Sequence, residues 1–222
     1  SGLSATRQTT ILGPTADGSA AHFGAAVTSG DFDDDGYDDL AVGAPDADLG
    51  GALDVGQVSV YSGRSTGIAT TGTRYLQSAF GDAPEAGDRF GLALGAGDLD
   101  GVAGECGCDD LVIAAAHEDW SGVADAGLVH VAYGGTSGVS GSNSDLVVPV
   151  GVLGPLQRQE VGSNLAVGDV DLDGIDDLSL TLSATGELAW LAGGPGGVGP
   201  ATIEREGRPV NPCTNITVSQ GK

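Results

Sequence analysis

Short apolar segments, separated by glycine-rich and acidic turns, recur along the chain three times in the same order. The first set occupies residues 23–28, 39–45, 57–63 and, more loosely, 73–77. The second occupies 90–94, 111–116, 128–134 and 145–150. The third occupies 165–167, 178–182, 187–193 and 201–204. Within them apolar residues alternate or run together with β-branched and aromatic neighbours, which suits strands, and no stretch keeps a 3.6-residue apolar period. Acidic loops beginning at Asp31, Asp98 and Asp169, spaced by 67 and 71 residues, sit between the first two segments of each set. The pattern predicts an all-β fold of antiparallel four-stranded units of about 70 residues.

One such sheet cannot bury both faces alone, so the units are expected to pack on one another as propeller blades do. Closed propellers need about 4–8 blades, and three are counted. This predicts part of a propeller, or one completed by association between chains. Residues 21–80, 81–155 and 156–207 are expected to form the three units. Residues 1–12 read as the outer strand of a preceding unit, leading into a connector up to residue 21. Residues 208–222 fit no repeat, beyond an anchor through Cys213. The chain opens on Ser1, which fits a processed or excised segment.

Composition sharpens this picture. The formal charge is −23, with 31 acids against seven arginines and one lysine, so nucleic acid is excluded as a partner for want of phosphate-neutralising residues. The acids are concentrated. Residues 31–39, 98–110 and 169–177 hold 16 of the 31, and like charges packed so densely call for a bound cation. No apolar run reaches the ~18–20 residues of a membrane span. The odd set Cys106, Cys108 and Cys213 allows one disulfide, for which Cys213 with either of the other two is expected because Cys106 and Cys108 would close a very tight ring; three free thiols are the alternative.

Loop one places Asp31, Asp33, Asp35 and Asp39 at positions 1, 3, 5 and 9, with Gly36 at position 6. Loop three repeats this with Asp169, Asp171, Asp173, Asp177 and Gly174. Alternate short carboxylates can face one centre, glycine permits the left-handed bend, and position 7, Tyr37 or Ile175, is expected to lend a carbonyl. An all-oxygen cage describes Ca2+. An EF-hand would need an acid at position 12, where Val42 and Leu180 stand, and flanking helices. Loop two begins with Asp98-Leu99-Asp100-Gly101 but carries an insertion before Asp109-Asp110. Asp98, Asp100 and Asp110 can still converge, completed by Glu105 or a carbonyl; alternatively the insertion abolishes the site and the cysteines tie down the longer loop.

Phe23-Gly24, the acidic loop and Gly43-Ala44-Pro45 together resemble the FG-GAP repeat, the blade of the integrin α-subunit β-propeller and of many bacterial surface proteins. Phe90-Gly91 matches too, while Ala114-Ala115-Ala116 and Thr181-Leu182-Ser183 take the Gly-Ala-Pro slot, and Ser163-Asn164 is read as replacing Phe-Gly in the third unit. The resemblance implies four-stranded blades, calcium in the hairpin joining the first two strands of each, and ligands on the opposite propeller face. It carries over no ligand-contact residues. The Ala-, Gly- and Asp-rich, lysine-poor composition points to a bacterial source.

Other chemistry is sparse. His22, His117 and His130 are scattered, and no serine-hydrolase elbow, zincin helix or P-loop occurs. The glycine run at 194–199 follows a strand in a turn with no helix after it. Trp120 is a candidate for stacking on a sugar, Trp190 a core residue, and Asn215-Ile216-Thr217 a glycosylation acceptor. The sequence therefore predicts no catalysis. It predicts an extracellular or cell-surface module using structural calcium for adhesion or for binding a protein or glycan. The alternatives are an accessory propeller of a secreted enzyme and a self-assembling structural protein.

Overall fold

The computed structural model describes residues 8–13, 21–101, 107–148, 160–183, 186–199, 202–204 and 217–220. Three antiparallel sheets follow one another along the chain. β1 (Val27–Gly30), β2 (Asp39–Ala44), β3 (Gln57–Tyr61) and β4 (Thr73–Tyr75) pair in sequence order. A 3-10 turn, Gln77–Phe80, leads to β5 (Leu94–Gly97), β6 (Asp110–Ala115), β7 (Leu128–Ala132) and β8 (Ser144–Val148). The third sheet holds β9 (Leu165–Gly168), β10 (Asp177–Leu182), β11 (Glu187–Leu191) and β12 (Thr202–Glu204). The expected all-β class and four-stranded unit are both present. Among the described residues no helix is long and apolar enough to cross a membrane.

The units stack through two apolar layers. Ala41 and Val58 of the first meet Leu111, Ile113, Ala115 and Ala132 of the second. On its other face the second unit presents Val112, Ala114, Val129 and Val131 to Leu178, Leu180, Leu182, Ala189 and Leu191 of the third. Sandwiching shows in the strands themselves: every residue of β6, with its run Leu111-Val112-Ile113-Ala114-Ala115, is buried, as expected of a strand covered on both sides. In β10 burial alternates, with Ser179 and Thr181 on the face that no described unit covers.

Two expectations shift. Phe23-Gly24 and Phe90-Gly91 precede their strands in tight turns instead of starting them, with Gly24 and Gly91 at φ 92° and 87°. The second turn lies against the preceding unit: Phe90 bridges Gly56 and donates its N–H to Val55 at 3.0 Å, and a Cβ on Gly43 would collide with the Gly91 carbonyl. The Phe-Gly and Gly-Ala-Pro glycines are therefore two halves of one close approach between units. The third unit makes this contact with Val161-Gly162, not with Ser163-Asn164: Val161 donates to Ala126 at 3.1 Å, is fully buried, and precedes Gly162 at φ 83°.

The chain ends contribute differently from expectation. Residues 8–13 form no strand, and residues 1–7 lie outside the described residues. Instead of standing apart from the repeats, the C-terminal region adds β13 (Thr217–Gln220) antiparallel to β8, making the middle sheet five-stranded in the order β13-β8-β7-β6-β5.

A polar pocket is buried between the first two units. Gln77 donates its amide to Asp82 at 3.0 Å and Glu118 at 2.6 Å, leaving its own carbonyl oxygen without a partner. Burial pushes the Glu118 carboxyl up to about 8, opposed by the Gln77 bond and reinforced by Asp88, Asp82 and Glu85. Burial likewise raises Asp88 to about 6. Each holds a proton in the folded state that the unfolded chain has released, so stability falls as pH rises from the ordinary carboxylate range through these values. Glu118→Gln is expected to confine the decline to below pH about 7, the value to which burial raises Asp110, with Asp88 titrating near 6, as read by melting temperature against pH. Truncating Leu99, fully buried against the third unit, to alanine is expected to cost about 2–5 kcal/mol. Val170→Ala, at the equivalent but 62% exposed position, should stay within about 0.5 kcal/mol; chemical denaturation compares the two.

Candidate metal centres

Each acidic loop joins the first two strands of its sheet, so the turn that links β1 to β2 also gathers the carboxylates. In loop one, Asp31 accepts at its two oxygens from the N–H groups of Asp35 (3.1 Å) and Gly36 (2.9 Å), and Asp35 accepts from Tyr37 (2.9 Å). Loop three repeats the set: Asp169 accepts from Asp173 (3.1 Å) and Gly174 (3.1 Å), and Asp173 from Ile175 (2.9 Å). These bonds curl the backbone so that position 6, Gly36 or Gly174, takes φ 84° or 96°. Position 4 is also left-handed, at Asp34 and Leu172. Loop two carries Gly101 at that position, with φ 55°.

The curl brings oxygens of Asp31, Asp33 and Asp35 within 4.8 Å of one another, and likewise those of Asp169, Asp171 and Asp177. Asp98, Asp100 and Asp110 form a third such group, so the insertion in loop two leaves its three carboxylates together; Glu105 and Cys106 lie outside the described residues. Cys108 is disulfide-bonded, and Cys213 and Asn215 also lie outside the described residues. At position 7, Tyr37 and Ile175 each turn the N–H to the acid at position 5.

The position-9 acids are buried beneath the loops and hold the third strand of each sheet. Asp39 accepts from Gly63 at 2.8 Å, Asp110 from Gly134 at 2.9 Å and Leu99 at 2.8 Å, and Asp177 from Gly193 at 3.0 Å and Val170 at 2.8 Å. Burial pushes the Asp110 carboxyl up to about 7, with the Gly134 and Leu99 bonds opposing and Asp100 and Asp98 adding to the rise. Burial raises Asp39 in the same way. At Asp177 burial is outweighed by N–H groups from Gly193, Val170 and Asp171, which hold it below the usual range. Among the described residues no arginine, lysine or histidine pairs with Asp31, Asp33, Asp35, Asp169, Asp171 or Asp177; His22 and Arg89 pair instead with Asp46, and His117 with Asp125. Converging hard oxygens with no positive side chain fit a divalent cation of the calcium type.

The position-8 acids do something the repeat pattern did not single out. Asp109 accepts from the N–H of Asp31 at 2.9 Å and donates its own N–H to the Asp31 carbonyl at 2.9 Å. Asp176 does the same to Asp98, at 3.2 and 2.8 Å. The paired acids Asp38-Asp39, Asp109-Asp110 and Asp176-Asp177 were the available signal.

The remaining candidates stand apart from these clusters. His22 is exposed beside Asp46, and His117 faces Asp125. His130 is buried against Phe80 and Phe90, and burial lowers it to about 4. Trp120 and Trp190 are both half-buried.

Residues 23–61 match the sequence profile of the FG-GAP repeat. Over 95 residues, 42% of this chain, the sequence is 40% identical to integrin alpha-IIb from Homo sapiens, and over 97 residues 38% identical to integrin alpha-V from Gallus gallus. A longer match, 27% identical over 161 residues or 72% of this chain, is to phosphatidylinositol-glycan-specific phospholipase D from Mus musculus. The chain spans 8%, 9% and 18% of these relatives' lengths. All are vertebrate proteins and give the expected bacterial source no support. The profile covers the first unit, and the second and third share its strand order, acidic loop and inter-unit turn. Residues 23–61 are an FG-GAP repeat, and over 95–97 residues the chain is related to integrin α subunits.

Proposed function

We propose that the chain is a calcium-braced binding module acting outside the cell or at its surface, with the metal structural and the ligand a protein or glycan. The observation that carries the reading is the threefold recurrence of a converging carboxylate cluster at the same hairpin of each unit. Asp31, Asp33, Asp35 and Asp39 would hold one ion, Asp98, Asp100 and Asp110 a second, and Asp169, Asp171, Asp173 and Asp177 a third, with carbonyls of Tyr37 and Ile175 available to the first and third. Bound calcium supplies positive charge that relieves the repulsion among these acids. The chain's own amides have already turned the carboxylates toward a common centre, which limits the ordering cost of binding. The integrin relatives support a binding role in place of catalysis. The phospholipase relative favours a second reading, in which these repeats accompany a catalytic domain in a larger polypeptide; a catalytic domain in the same polypeptide would decide for it.

Calorimetric titration of metal-stripped protein is expected to count three sites. Calcium at about 100 times its dissociation constant should add about 2.7 kcal/mol per site, raising the melting temperature over that in chelator. Asp33→Ala and Asp171→Ala should each remove one site. Equal melting temperatures in chelator and millimolar calcium would sink the reading.

A further inference from the structure

We infer that Asp109 and Asp176 are positioning residues, each presetting the cation site of the unit before its own, so that loops one and two depend on the following unit for their affinity whereas loop three does not. This rests on the calcium reading above.

Four observations converge. Asp109 and Asp176 grip the backbone of Asp31 and Asp98, the first residue of the preceding loop, through the same pair of bonds. The residue before each gripped position is glycine, and a Cβ on Gly30 or Gly97 would collide with the gripping carboxylate. The residue after it, Phe32 or Leu99, is fully buried in the apolar layer shared with the next unit, and its carbonyl accepts from Gly135 at 3.2 Å or Gly194 at 3.0 Å. Positions 1 and 2 of loops one and two are thus clamped on both sides by the following unit. Loop three keeps the same residue types with no such clamp among the described residues: a Cβ on Gly168 would meet nothing within 4 Å, and Val170 is 62% exposed.

Asp31 and Asp98 are themselves members of the carboxylate clusters. A side chain whose backbone is held from both sides does not have to be ordered when the ion arrives. Partners of this outer kind are typically worth 10–100-fold in metal affinity. Asp109 and Asp176 act through a hydrogen-bond acceptor, so asparagine, which keeps a side-chain oxygen, should substitute.

The test is calcium titration of the full chain followed by NMR, with the amides of Gly36, Gly101 and Gly174 reporting loops one, two and three. Asp176→Ala should weaken the Gly101 response roughly 10–100-fold and leave Gly36 unchanged. Asp109→Ala should weaken the Gly36 response, and Asp176→Asn should restore the Gly101 response to near wild type. Hydrogen exchange at the Asp98 amide, measured without calcium, should quicken in Asp176→Ala. Calcium affinity at Gly101 unaltered by Asp176→Ala overturns the inference while the calcium reading stands. So does an asparagine variant as weak as alanine, since Asp176 would then act through its charge. A wild-type chain that binds no calcium at any loop overturns both.

Discussion

The bond between an aspartate side chain and a backbone N–H organises this molecule at every scale. Within a loop, Asp31 and Asp169 curl the chain by accepting from the residues at positions 5 and 6. Within a sheet, Asp39, Asp110 and Asp177 tie the loop to the end of the third strand. Between sheets, Asp109 and Asp176 reach back to the loop before. Aspartate suits all three tasks because its short side chain brings two acceptors close to the main chain. The cost is accumulated negative charge, concentrated where these bonds intersect. The apolar layers supply the bulk of the packing, but the carboxylates fix how one layer is set against the next.

Much of this was legible in the sequence because the repeat displays the same constraint three times. The runs 39–45, 111–116 and 178–182 became second strands, and three acids of each loop came together at its hairpin: Asp31, Asp33 and Asp35; Asp98, Asp100 and Asp110; Asp169, Asp171 and Asp177. The misses have physical causes. Phe-Gly was read as strand because phenylalanine favours strands, yet the glycine after it sits where another backbone passes too closely for a Cβ. In the third unit the same place is held by Val161-Gly162, and without an aromatic residue the alignment drifted by two positions. The position-8 acids were passed over because their partners belong to a different repeat, and spacing within one loop says nothing about contacts across to another. Pairing of β13 with β8 is likewise a long-range choice that no local pattern announces.

The difference between the middle and third units is informative about the polarity of the stack. Leu111 to Ala115 is buried on both sides, while Leu178, Leu180 and Leu182 alternate with half-exposed Ser179 and Thr181. Val170 and Gly168 meanwhile keep the features that in the first two units receive the following unit. Among the described residues the third unit thus combines a sheet face of alternating burial with a loop shaped like those that meet a neighbour.

The fifth strand of the middle sheet bears on the order in which the molecule comes together. β13 follows the whole third unit in the chain yet pairs with β8, which precedes it, so β9 to β12 form the interior of a closed chain segment whose two ends are hydrogen-bonded side by side. Closing so long a segment is an entropic expense that grows only slowly with length, but it must be met before the pairing rewards it, which makes this a late step in folding. Until it happens the outer edge of β8 is an open row of amides and carbonyls, available to any extended strand that arrives first. Synthesis from a ribosome would therefore leave the β8 edge of the middle sheet open until the third unit has emerged.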